Sequence, residues 1–404
     1  MAPHVRLEQL YWEDVDPALH AGKPAVSASV FSRCALVVLQ PHEFAAIEAT
    51  LRAVAASIPH KGFADVPWHE TRWTAAHLLE ECGFVRTDEP TMLLVEGGEA
   101  PPRYAVKYVY LPVDEESAEM RALCEYAFDE EGGRGGEAEV RGQSVVCRRG
   151  NKAMNTGSTM LMYGSWDCWD WEGAAGRKGV TQPRVYNPKG AVDPQLTRLL
   201  HRHADALNAA ERECIPAYAA HRDALAAEVD PQRMHRVSPW SSAFSVSLTS
   251  SYVIAPHNDS GLACETIAFL RRNGPMPPGH EWLFAIGGHV HALPSRRGQG
   301  VLLFIKGTGL YHGTLPTSSV APTHLHGNHG SALVTKQRMV DGLRRQRARG
   351  EATPAHLTSA YTSPQPPHHE GEDAGGQRSH PPGVPAGGEH GLCSRIAQAS
   401  LVNG

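Results

Sequence analysis

Phe244-Ser245-Val246-Ser247-Leu248-Thr249-Ser250-Ser251-Tyr252-Val253-Ile254 runs, after Ala255, straight into Pro256-His257-Asn258-Asp259-Ser260-Gly261, and this stretch decides how the chain reads. Its apolar and small polar residues alternate, the pattern of a strand with one covered face. Residues two apart on a strand share a face, so His257 and Asp259 can point at one ion while Asn258 points away. That is half of a metal site. His312 supplies a third ligand from Gly307-Thr308-Gly309-Leu310-Tyr311-His312-Gly313-Thr314-Leu315-Pro316, soon after the strand-like run Val301-Leu302-Leu303-Phe304-Ile305. Two imidazoles and one carboxylate make the facial triad that holds iron(II) with coordination positions left open. Zinc accepts the same three ligands. An H-x-D is short and arises often by chance, and alone it reads as a hydrogen-bonded surface pair. Its position at a strand end, with a distal His-Gly in a similar context, is what points to a metal. His289 and His291 would also share a strand face, either lining the pocket or competing with His312 for the third position.

Three further runs read as strands separated by turns containing Gly and Pro: Glu281-Trp282-Leu283-Phe284-Ala285-Ile286, Val301 to Ile305, and Ser331-Ala332-Leu333-Val334-Thr335. Together with Phe244 to Ile254 they predict an antiparallel double-sheet barrel able to hold a metal on its strand ends. The fold class expected is α+β, a double-stranded β-helix (jelly-roll or cupin-like) core with buttressing helices.

At 404 residues, with 41% hydrophobic content, the chain can bury a substantial core. Its formal charge of −5 excludes a nucleic-acid coat of uniformly basic character, though not a local basic face. The eight cysteines are scattered with no C-x-x-C pair, which suits a reducing compartment better than a disulfide framework or a structural zinc cluster. The first residues lack a basic segment followed by an apolar one, and no apolar run has the length of a membrane span. A soluble, intracellular protein is expected, with no membrane partner.

Earlier in the chain, Cys34 to Leu39 reads as a buried strand. Pro41-His42-Glu43 opens an amphipathic helix with Phe44, Ile47, Leu51, Val54 and Ile58 at helical spacing. A short helix is expected over Ala75 to Cys82, stopping at Gly83. Arg103 to Leu111 reads as a strand ending at Pro112, and the acidic, Gly-rich segment from Asp129 to Glu139 as a loop. The aromatic run from Met160 to Trp171 is either a strand and turn capping the core or a wall that stacks on a planar substrate. Asp193-Pro194 starts a helix carrying Leu196, Leu199, Leu200 and Leu207, broken at Pro216 and continuing through Leu225. From about Gly350 the Pro-, Gly-, His- and Ser-rich composition predicts a disordered tail that catalysis does not need. The expected organisation is an N-terminal α/β part of the catalytic domain over 1–190, helical support and metal-bearing core over 191–349, and the tail over 350–404.

From His257 to His312 the H-x-D and distal His resemble the iron- and 2-oxoglutarate-dependent dioxygenases, and within them the ten-eleven-translocation and J-binding-protein branch. That resemblance covers mainly Phe244 to Lys336 and implies His257, Asp259 and His312 as metal ligands and catalytic centre. It also implies Fe(II) as cofactor, 5-methylcytosine in DNA as substrate with the base flipped from the stack, and a monomer located in the nucleus. In that family an Arg on the last core strand pairs with the far carboxylate of 2-oxoglutarate, a planar bidentate task. This chain has Gly330, Ser331 and Ala332 there, with Lys336 and Arg338 as the nearest downstream cations. Ser331 and Lys336 are therefore the expected cosubstrate contacts. The departure points to ascorbate, as in an algal member of the branch that transfers a glyceryl group to the methyl of 5-methylcytosine, with 2-oxoglutarate as the alternative. Phosphate contacts are expected from Arg148-Arg149, Arg271-Arg272, Arg296-Arg297 and Arg344 to Arg349, each of which also reads as a solvated turn. A protein or small-molecule hydroxylase, a cupin-like binding barrel, and a nucleic-acid reader without catalysis are the competing functions.

Overall fold

The computed structural model describes residues 10–11, 26–57, 74–97, 103–113, 117–129, 139–140, 159–169, 181–186, 194–250, 254–259, 262–271, 275–276, 281–294, 299–305, 310–316 and 328–350. In chain order the first half contains β1 (Leu10–Tyr11), α1 (Ala28–Phe31), β2 (Ala35–Leu39), α2 (Pro41–Ala56), α3 (Ala75–Glu81), β3 (Val85–Thr87), β4 (Thr91–Gly97), β5 (Arg103–Val113), α4 (Ala118–Ala127), β6 (Phe128–Asp129), β7 (Glu139–Val140), β8 (Thr159–Trp169) and β9 (Thr181–Tyr186). Two helices follow, α5 (Pro194–Cys214) and α6 (Pro216–Val229). The last part contains β10 (Ser245–Ser250), β11 (Ile254–Asn258), β12 (Leu262–Arg271), β13 (Trp282–Ile286), β14 (His289–Ala292), β15 (Gly300–Ile305), β16 (Tyr311–Pro316), β17 (Asn328–Lys336) and α7 (Gln337–Ala348).

From β10 onward the strands divide between two sheets. The large sheet runs β2-β4-β5-β15-β12-β17-β10-β8-β9 with β1 on β5, and the smaller one runs β11-β16-β13-β14-β3. Neighbours among β10, β17, β12 and β15 are antiparallel, as are those among β11, β16, β13 and β14. Alternation along these strands sets three apolar layers. Ile267, Phe269, Leu303 and Ile305 of the large sheet pack with Trp282, Phe284 and Ile286 of the smaller one. Ala268, Leu270, Leu302, Phe304 and Leu333, on the opposite face of the large sheet, pack with Leu196, Leu200 and Leu207 of α5. The outer face of the smaller sheet, with Leu283, Ala285, Val290 and Leu315, is covered by Leu51, Val54 and Leu78 of α2 and α3. Strands buried on both faces lose the polar alternation of half-exposed ones, which is why β13 and β15 are apolar throughout. Each fully buried Leu or Phe contributes about 1.5–3 kcal/mol.

The helix starts follow local chemistry. Pro41 opens α2, and the Glu43 carboxylate accepts the Gln40 N–H at 2.8 Å. The Thr74 hydroxyl accepts the His77 N–H to cap α3, and Gly83 follows with φ of 73°, a left-handed position suited to glycine. Ile58 and Asp193 lie outside the described residues, as do most of the segment from Asp129 to Glu139 and everything beyond Gly350.

Several elements depart from the sequence reading. The run from Phe244 to Ile254 is not one strand: β10 belongs to the large sheet and β11 to the smaller, so the chain changes sheets just before His257 and Asp259. β5 continues through Pro112, which sits opposite Val301, while its other neighbour β4 stops at the Thr91–Tyr110 pair. On that side proline has no ladder bond to lose. β12, apolar from Ile267 to Leu270, lies between β15 and β17 in the large sheet, and the sequence reading missed it. Helix α7 was also missed; Met339, Val340 and Leu343 pack it on Val229 and Phe244. β2, β4, β5, β8 and β9 join the same large sheet as β10, β12, β15 and β17. Among the described residues no helix is long and apolar enough to cross a membrane.

Candidate metal centre

β11 and β16 pair antiparallel with His257 opposite His312, so the two imidazoles rise from neighbouring strands onto one face. Their ring centroids are 4.6 Å apart. Asp259 follows the end of β11, where its side chain turns back toward both rings: Oδ2 lies 3.6 Å from His257 Nε2 and 3.8 Å from His312 Nε2. Ligand atoms from all three residues fall within 4.8 Å of one another. Bonds of about 2.1 Å to one ion put adjacent ligand atoms about 3 Å apart, so the two carboxylate-to-imidazole distances need to shorten by under an ångström for the cluster to close on a metal. The residues fit the ion.

The groups around them favour the ligating forms. His312 is buried, stacks against Phe284 at 5.7 Å between centroids, and places Nδ1 3.2 Å from the Leu310 carbonyl. A donor bond from Nδ1–H to that carbonyl fixes the tautomer and leaves the Nε2 lone pair facing Asp259. Burial, reinforced by the neighbouring His257, lowers the His312 pKa to about 4, so the ring is neutral. For Asp259, burial works against ionisation, but the charge and hydrogen bond of His257, with the charge of Lys336, outweigh it and hold the carboxyl below its usual range. The Asp259 side chain is partly open, with 43% of its surface exposed.

The two expected cosubstrate contacts separate. On β17, Ala332 packs into the layer between the sheets and Gly330 abuts Phe269, so the alternate residues ending at Lys336 share that inner face. Lys336 is near enough to Asp259 to favour its charged form. Ser331 points the other way, its hydroxyl 2.6 Å from Nε2 of His203 on α5 under the helical layer. Ser331 therefore does not reach the cluster; a one-residue step along a strand reverses the face. At Gly330 a Cβ would stand 2.6 Å from the Thr249 hydroxyl, leaving no room for a longer side chain.

His289 and His291 do share a face, with centroids 5.7 Å apart, but they lie on β14, separated from β16 by β13. His291 stacks on Tyr110 and pairs with the Tyr108 hydroxyl at 2.9 Å, and neither histidine joins the three-residue cluster. Arg271 is buried and donates to Asn328, which removes it from phosphate binding. Arg344 makes a two-pronged pair with Glu228, and Arg347 donates to the Glu228 carbonyl, so these two brace α7 on α6. Arg345 on that helix and Arg349 just past its end are exposed. Arg148, Arg149, Arg272, Arg296 and Arg297 lie outside the described residues. Of the aromatic run, Met160 to Trp169 is in β8, the Tyr163 side chain is buried against the helical layer, and the other aromatic side chains lie outside the described residues.

Two carboxylates near the site escaped the sequence reading. Glu48 of α2 accepts the backbone N–H of Tyr311 at 2.7 Å, immediately before His312. Glu265 of β12 is buried, and burial, with the charge of Asp259, raises its pKa well above the ordinary carboxylate value against the charges of Arg222 and Lys336. Glu265 carried one available signal: it stands in an apolar run, Glu265-Thr266-Ile267-Ala268-Phe269-Leu270, where a charged residue requires a partner.

No protein-family model matches the chain. No curated protein matches it either. Among solved structures, "The structure of OsALKBH1" aligns at 12% identity over 57% of this chain and 96% of that chain, with a TM-score of 0.27. At that score the likeness carries no weight beside the geometry of the site.

Proposed function

We propose that the chain is an Fe(II)-dependent enzyme of the dioxygenase type, built on a double-stranded β-helix core, that modifies the methyl group of 5-methylcytosine in DNA with ascorbate as glyceryl-donating cosubstrate. The observation that carries the reading is the cluster of two histidines and one aspartate, on paired strands and just past a strand end, within 4.8 Å. The alternation of β10 to β17 between two facing sheets supports the core assignment. Bound there, Fe(II) supplies activation of oxygen and of the cosubstrate, while the chain holds geometry and access. The tautomer lock on His312 and the open side of Asp259 are the residues' own contributions to that task. A paired base must leave the stack to bring its methyl to such a cluster, so flipping is part of the proposal, as is a nuclear location.

The inner face of β17 offers Gly330, Ala332, Val334 and Lys336, with no arginine for a bidentate carboxylate pair. That favours ascorbate. The inward Lys336 is the observation favouring the second reading, a 2-oxoglutarate-dependent hydroxylase of the same base. Purified protein is loaded with Fe(II) and given oxygen and methylated DNA with either cosubstrate, and the digested DNA is examined by mass spectrometry. A glyceryl adduct formed with ascorbate alone supports the first reading, and 5-hydroxymethylcytosine formed only with 2-oxoglutarate replaces it with the second. Unchanged DNA under both conditions, with iron bound, rejects the DNA substrate.

A further inference from the structure

The segment from Asp230 to Ala243, between α6 and β10, is fixed by its own hydrogen bonds. The Asp230 carboxylate accepts the backbone N–H groups of Met234 at 2.9 Å and His235 at 3.0 Å. The Ser238 hydroxyl accepts those of Trp240 at 3.2 Å and Ser241 at 2.9 Å and donates to Asp205 of α5. Asn208 holds Ser241 and Ser242, and the buried Val237 and Ala243 anchor the segment in the helical layer. On this base Trp240 is 68% exposed. Its backbone serves the loop, through the Ser238 bond and a carbonyl that accepts from Arg212, but its indole does not. The indole meets the Arg233 guanidinium, whose Cζ stands 5.2 Å from the ring centroid. Arg233 has φ of 58°, a left-handed conformation that glycine or asparagine adopts at lower cost, so the position keeps an arginine against its backbone preference.

An exposed indole backed by a guanidinium offers a flat face to another planar group. Its surroundings say which. Among the described residues the exposed large hydrophobics are Trp240 and Val85, and Val85 belongs to β3 at the edge of the smaller sheet, so no apolar patch surrounds the ring as a protein partner would require. The charge nearby is cationic. Arg212, Arg236 and Arg344 are paired with Asp223, Asp230 and Glu228, whereas Arg233 and Arg345 are exposed and form no ion pair among the described residues. Arg344 and Arg347 both reach Glu228, two residues before Asp230, so the arginine-rich end of α7 lies at the root of the loop. We propose that Trp240, Arg233 and this end of α7 form a binding site for single-stranded nucleic acid, in which a base stacks on the indole and the arginines hold the flanking phosphates. A duplex keeps its base faces stacked on one another, so the indole selects an unpaired strand. Val237 and Ala243 pack with α5 on the face of the large sheet opposite the smaller sheet that carries His312. The site is therefore a second contact, and it extends the nucleic-acid reading above without depending on the metal.

The test uses the full metal-free chain and an unmethylated, fluorescein-labelled oligothymidylate of roughly ten nucleotides, so that it is blind to the methyl chemistry. Binding is read by fluorescence anisotropy. Trp240→Ala should weaken it on the order of fivefold to a hundredfold, the loss expected for one stacked base, with the thermal transition unchanged because the indole is exposed. Trp240→Phe should retain most of the affinity. Arg233→Gln should reduce the slope of log K against log salt by about 0.7, the value of one phosphate contact on a single strand. Equal affinity of wild type and Trp240→Ala overturns the site, as does a wild type that binds no single strand. A loss of the same size in Trp240→Ala on an oligonucleotide lacking bases overturns the stacking. Self-association that Trp240→Ala abolishes, with no oligonucleotide bound, gives the face to a second copy of the chain instead. None of these results bears on the metal centre, and failure of the methylcytosine chemistry leaves this site standing.

Discussion

Replacing Glu48 with glutamine separates what the carboxylate does for β16 from what its charge costs. Burial is the largest influence on Glu48 and lifts its pKa; the hydrogen bond from Tyr311 and the charges of Arg52 and Lys107 pull it partly back, leaving it at about 7 against an ordinary 4.5. A carboxyl raised in the folded state binds its proton more tightly there than in the unfolded chain. Its stabilising contribution is complete below the unfolded value and is lost as pH rises through the folded one. At about 1.36 kcal/mol per unit, the shift amounts to about 3 kcal/mol lost between roughly pH 4.5 and 8. Glutamine does not titrate, and its carbonyl still accepts the Tyr311 N–H. Urea denaturation of the metal-free protein across that range should therefore show wild type losing about 3 kcal/mol relative to Glu48→Gln as pH rises. A difference between the two that stays flat from about pH 5 to pH 8 refutes the argument.

Asp259→Ala should abolish metal binding while the thermal transition of the metal-free protein stays cooperative; retention of one tightly bound ion in the variant contradicts the ligand assignment. Arg222→Met should destabilise by about 3–5 kcal/mol in denaturant, because Glu211, with which Arg222 forms a wholly buried ion pair, would be left charged without its partner. Adding Glu211→Leu should recover much of that loss, and strictly additive losses would deny the coupling. A chain ended after Gly350 should fold and turn over as the full chain does, since the composition beyond it cannot form a core; loss of turnover with folding unchanged would place a substrate contact there.

The legibility of this chain followed the range of the interactions involved. Helices α2, α3, α5 and α6 announced themselves because capping groups, Pro41, Pro194 and Pro216, and apolar spacing are properties of a few consecutive residues. β13 and β15 were equally clear as continuous apolar runs. The division of Phe244 to Ile254 between two sheets was not, because alternation reports a covered face without saying which sheet covers it. β16 was hidden by Gly313 and Pro316, which break its apolar pattern, although it carries His312. α7 was hidden by Gly342 and by a charged sequence whose three anchoring residues, Met339, Val340 and Leu343, acquire meaning only against α6 and Phe244.

The site divides the same way, and the division explains which of its parts a sequence exposes. His257 and Asp259 are two residues apart, so nearness in the chain keeps them together even though Asp259 lies just past the end of β11. His312 had to be chosen against His289 and His291, and what sets it apart is the β11–β16 register, in which it lies opposite His257. Ser331 and Lys336 looked alike as candidates because both occupy the last strand; they differ by an odd number of residues and so face opposite layers, one held by His203 and the other near Asp259. Glu48 and Glu265 come from a helix and a strand that bear no motif, and each meets the site through a residue outside its own element, Tyr311 in one case and Asp259 in the other. Ligands near one another in the chain can be read from spacing. The groups that surround those ligands are set by packing between elements, and a buried charge within an apolar run is the trace such a group leaves in the sequence.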